Sequence, residues 1–145
     1  MSNKTSELKM LLTRLVDSYD GYKEAAEKAS QERHVRMFTD LSAERHQAAL
    51  LVQDYLTRQG EDVDLDGSKI AAAHRFFMDI KDKLDDDDDE ALLESIITGE
   101  SELLSRYRDA TKDAKYDPEL LDALKKQYQK IESNLALIQA KEKAA

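Results

Sequence analysis

Cysteine is absent from this chain, and proline and glycine are scarce, with one Pro and four Gly in 145 residues. The first absence excludes disulfides, thiolate nucleophiles and cysteine-ligated zinc, and it is compatible with a reducing compartment. The second, beside a charged fraction of 37%, favours long, solvent-facing helices over strands. Long apolar runs are also lacking. The longest, Ala48 to Val52, is far too short to span a bilayer. The opening MSNKTSELK has no apolar core of a secretory signal, so the expectation is a soluble, cytoplasmic protein. Basic residues are in deficit, 22 against 31 acidic ones, and the net charge of −9 argues against binding nucleic acid or an anionic membrane. No G-x-S-x-G turn and no glycine-rich phosphate loop occurs.

What the chain does have is helix-spaced apolar stripes, on a length suited to one domain with a sizeable core. Leu8, Leu11, Leu12, Leu15, Tyr19, Tyr22 and Ala26 predict a first helix over about residues 6–29. Phe38, Leu41, Ala48, Val52, Tyr55 and Leu56 predict a second over about 32–59, stopped by Gly60. Residues 61–67 read as a loop, and a shorter helix over about 68–84 follows, with His74 and Phe77 on its apolar side. Asp85 to Asp89 break it. A third long helix is predicted over about 90–114, and Asp117-Pro118 opens a fourth over about 118–141. The connection between the second and third long helices is about thirty residues long, enough to cross the height of a bundle. It lets the third helix run parallel to the second. The expected fold is therefore all-α: a ferritin-like four-helix bundle whose long crossover contains a short extra helix.

With these elements placed, the chain resembles a bacterial family of ferritin-like four-helix bundles classed as a domain of unknown function. The resemblance rests on DGYKEAAE at Asp20–Glu27, LSAERHQAA at Leu41–Ala49, AAAHRFFMDIK at Ala71–Lys81, GESELLSRY at Gly99–Tyr107 and KQYQKIE at Lys126–Glu132. It implies the bundle and association into homo-oligomers through helix faces, but no established activity. A stress-related role is an expectation from family association alone. At the superfamily level, relatives bind two irons or manganese ions through carboxylates and Glu-x-x-His pairs.

One charged residue decides how far that chemistry carries over. Glu100 stands inside the stripe Leu93, Ile96, Ile97, Glu100, Leu103, Leu104, Tyr107. An inward carboxylate in a bundle suggests a metal layer, yet Gln31, Ala43 and Ala71 stand three residues before His34, His46 and His74. If the second and third helices are parallel, Glu100 lies level with Ser42 to Arg45, with Val16 to Tyr19 and with Ile131 and Glu132. The candidate metal ligands are Glu44, Glu100 and Glu132. Arg45 lies on the line Phe38, Leu41, Arg45, Ala48, and supplies a positive charge instead. A bidentate Arg45–Glu100 pair in a polar layer with Glu44, Tyr19 and Tyr107 is the preferred reading. A partly exposed Glu100 and a metal site are the alternatives.

Other features have bland explanations. Glu24 and Glu27 near His34 read as a solvated face. The Asp85–Glu90 run lacks the alternating ligands and glycine of an EF-hand loop. His74 has no partner at zinc-ligand spacing. The expected function is that of a non-enzymatic structural or interaction protein without a cofactor. The alternatives are a di-iron-type protein with a degenerate iron or manganese site, and a small-ligand or lipid-binding bundle. A ferroxidase-like activity would have to work with an incomplete ligand set.

Overall fold

The structure, a computed structural model, describes residues 3–61, 63, 78, 80–81, 89–112 and 116–144. These residues form four long helices and no strand: α1 (Asn3–Lys28), α2 (Glu32–Arg58), α3 (Asp89–Thr111) and α4 (Pro118–Ala144). Most of the expected crossover helix over 68–84 lies outside the described residues, as do His74 and most of the Asp85–Asp89 run. Met78, Ile80 and Lys81 are helical.

The ends follow local chemistry. Gly60 has φ +83°, a left-handed conformation that costs a residue with a side chain about 1–2 kcal/mol. Its amide donates to the Thr57 carbonyl and the Glu61 amide to the Leu56 carbonyl, both at 3.0 Å. These two bonds cap the last carbonyls of α2 in the Schellman manner. A Cβ on Gly60 would meet nothing within 4 Å, so the glycine is required by backbone conformation and not by space. At the start of α4, Pro118 takes the first helical position, where its missing N–H costs nothing.

The buried side chains form two clusters that divide every helix at the same height. One joins Leu8 to Leu15 of α1, Ala48 to Leu56 of α2, Leu103 to Ala110 of α3, and Leu120 to Leu135 of α4. The other joins Tyr22 and Ala25, Phe38 and Leu41, Leu92 to Ile96, and Ile138. The early part of α1 therefore packs with the late parts of α2 and α3 and the early part of α4. That pairing fixes directions: α2 and α3 run one way, α1 and α4 the other. Val63 packs on the first cluster and Ile80 belongs to the second, so the connection between α2 and α3 touches both ends. The close pairs are α1 with α2, α3 with α4, and α1 with α3. Between α2 and α4, Asn134 Nδ2 of α4 donates to Glu44 Oε1 of α2 at 2.7 Å.

Candidate functional site

Between the two apolar clusters lies a charged layer. The helical period carries Arg45 inward between Leu41 and Ala48, and Glu100 inward between Ile96 and Leu103. Both side chains are 1% exposed. Arg45 Nη2 donates to Glu100 Oε1. The other oxygen, Oε2, accepts from the Tyr22 hydroxyl at 2.8 Å. Three helices thus meet on one carboxylate. The pair is not the expected bidentate fork: Arg45 meets one oxygen and the Tyr22 hydroxyl meets the other. On its other flank, Arg45 Nη1 stands 3.5 Å from Glu44 Oε1, whose side chain is 29% exposed. The Arg45 Nε, also buried, has no hydrogen-bond partner.

Electrostatics holds the protons of Arg45 and Tyr22 in place. Burial disfavours the Arg45 charge, but the attraction and hydrogen bond of Glu100, helped by Glu44, win, and Arg45 holds its proton more tightly than usual. Burial, reinforced by the negative charge of Glu100, pushes Tyr22 well above the usual phenol range, although Arg45 pulls the other way. Tyr22 is therefore a neutral donor. Burial likewise raises Tyr107.

The other candidates are placed differently. Tyr107 is buried near the layer, but its hydroxyl donates to Gln127 Oε1 of α4 at 2.6 Å. Tyr19 lies off the layer. Its ring stacks on His46 with centroids 4.6 Å apart, and its carbonyl accepts from Ser42 Oγ at 3.2 Å. The phenol on Glu100 is Tyr22, one turn later in α1. Side chains on a helix lean toward its N-terminus and cover the preceding turn, so Tyr22 reaches the height at which the Tyr19 backbone sits. The deepest line of α1 runs through Leu8, Leu15 and Tyr22, all fully buried. Asp17 is a further buried acid that nothing in the apolar stripe marks.

Of the three carboxylates considered for a metal, Glu132 is exposed on α4, and Glu44 and Glu100 lie on either side of Arg45. Among the described residues, no group of three or more His, Asp or Glu is placed to hold a metal ion. Glu27 is exposed, while His34 is buried with its ring 6.5 Å from that of Phe38. No helix among the described residues is long and apolar enough to cross a membrane. The family profile described as "Domain of unknown function (DUF2383)" matches residues 3–113. No curated protein and no solved structure matches the chain.

Proposed function

The chain belongs to the DUF2383 family, a domain of unknown function, and we propose that it is a ferritin-like bundle acting as a non-enzymatic structural or interaction protein. The carrying observation is the Arg45–Glu100 pair, buried to 1% exposure on both sides. In a metal-bearing bundle the layer at mid-height would offer four carboxylates and two imidazoles to a pair of ions. Here the guanidinium neutralises the inward carboxylate, and Tyr22 takes its remaining oxygen. The residues present suit an arginine-closed layer better than a metal pair. The parallel course of α2 and α3 supports the ferritin-like arrangement, because only a long crossover joins two parallel neighbours in sequence.

The test uses the full chain, purified without chelator. Elemental analysis should find far less than one metal per chain, and aerobic addition of ferrous iron should give no ferric absorbance beyond the protein-free rate. Stoichiometric iron or manganese, or catalysed oxidation, would overturn the reading.

A further inference from the structure

The face between α2 and α4 carries an open apolar surface. Two adjoining grooves run along it, of about 380 and 390 Å³, and Glu44 lies in the wall of both. Their apolar surface comes from Leu41, Leu51, Ile131, Leu137 and Ile138. Leu137 is 64% exposed, more than any other large apolar side chain among the described residues. Arg33, Arg36 and Lys141 border one groove, and Lys130 borders the other. Among the described residues, the bordering acids are Asp40 and Glu44. Glu44 is already engaged by Asn134 and Arg45, and Arg36 holds Glu32 one turn back at 2.8 Å. On a chain of net charge −9, the described residues bordering these grooves carry more cations than acids, Arg33, Arg36, Lys130 and Lys141 against Asp40 and Glu44. Arg45 forms part of the floor of the second groove, its charge met by Glu100 and Glu44.

We propose that this face docks an acidic amphipathic helix of a partner protein. Its apolar stripe would lie on Leu51 and Leu137 and its carboxylates against the basic border of Arg33, Arg36, Lys130 and Lys141. From Arg33 to Leu51, α2 spans about 27 Å, the length of a helix of about 18 residues. Apolar anchors one turn apart are how a helix fills such a groove. A second copy of this chain fits poorly. A two-fold axis through the groove would set the end bearing Arg33, Arg36 and Lys141 against the end bearing Lys130, cation on cation. A small amphiphile also fits poorly, because the grooves lie open along their length and do not enclose a ligand as small-molecule sites do. The proposal deepens the interaction reading above and rests on it.

The probe is a fluorescent synthetic peptide of about 18 residues with Leu at helix-spaced positions and Glu on the flanks, added to the full chain. Its counterpart carries Lys in place of Glu. We expect saturable anisotropy for the acidic peptide and binding about tenfold weaker for the basic one. Leu137→Asp, and Arg33→Glu with Arg36→Glu, should each weaken binding about tenfold, whereas Lys112→Glu, at the residue just after α3, should not. Circular dichroism and melting curves verify that the variants fold. Equal binding of the two peptides, indifference to Leu137→Asp, or saturable binding of palmitate without binding of the peptide would each overturn the proposal. A peptide failure in protein that neither holds metal nor oxidises iron removes the groove and leaves the non-enzymatic reading standing. Metal loading or iron oxidation strikes that reading itself.

Discussion

Glu100 and Glu44 face the same guanidinium from opposite sides, one in the interior and one on the wall of the α2–α4 groove. Glu100 is 1% exposed and receives Arg45 and Tyr22. Glu44 is 29% exposed, 3.5 Å from Arg45, and receives Asn134. Water can replace the partners of Glu44 but not those of Glu100. The difference shows that a shared ion does not make two carboxylates equivalent, since solvent access sets what each loss costs.

The strongest way to test the contrast is to break the interior pair. Glu100→Gln and Arg45→Met should each lower unfolding stability by about 3–5 kcal/mol, because each strands a buried charge. The double variant should lose clearly less than the sum, as urea unfolding of all four proteins will reveal. Strict additivity would mean that the two residues do not act on each other. Tyr22→Phe comes next. It leaves Glu100 Oε2 without its donor and should cost about 1.5–3 kcal/mol. A change within error would show that another donor replaces the phenol.

The pH dependence has a definite sign. Tyr22 and Tyr107 titrate higher in the folded chain than unfolded. Their contribution is complete below the ordinary phenol value of about 10, and it declines as pH rises through the folded values, because the unfolded chain then releases protons that the folded chain retains. Urea midpoints between pH 8 and 11 should therefore fall on the alkaline side, and less steeply in Tyr22→Phe/Tyr107→Phe than in the parent. The smallest effect belongs to the groove wall. Glu44→Gln should change stability by less than about 1 kcal/mol. A loss as large as that of Glu100→Gln would erase the contrast between the two carboxylates.

Much of this was legible in sequence, for reasons particular residues make clear. Gly60 and Asp117-Pro118 mark helix ends because backbone conformation and a missing N–H act locally. Arg45 and Glu100 stand out because each puts a charge where the helical period demands an apolar side chain. Tyr22 carries no such mark. Periodicity tells which face a residue occupies, but it is silent on how far the side chain leans along a neighbouring helix. Levels counted between backbones therefore point to Tyr19 instead. The grooves were not legible either: the exposure of Leu137 depends on how closely α4 approaches α2, and no pattern within either helix encodes that distance.

The parallel course of α2 and α3 also sets a timetable. Ser42 and Tyr19 are 23 residues apart in the chain, whereas Arg45 and Glu100 are 55 apart and Tyr22 and Glu100 78. Closing the α1–α2 hairpin costs less chain entropy than closing the long connection, so contacts within the hairpin can form first. The buried pair forms only when the two hairpins meet. In such an order the charged layer acts as a latch, holding the assembled bundle against opening while contributing little to the speed of its assembly.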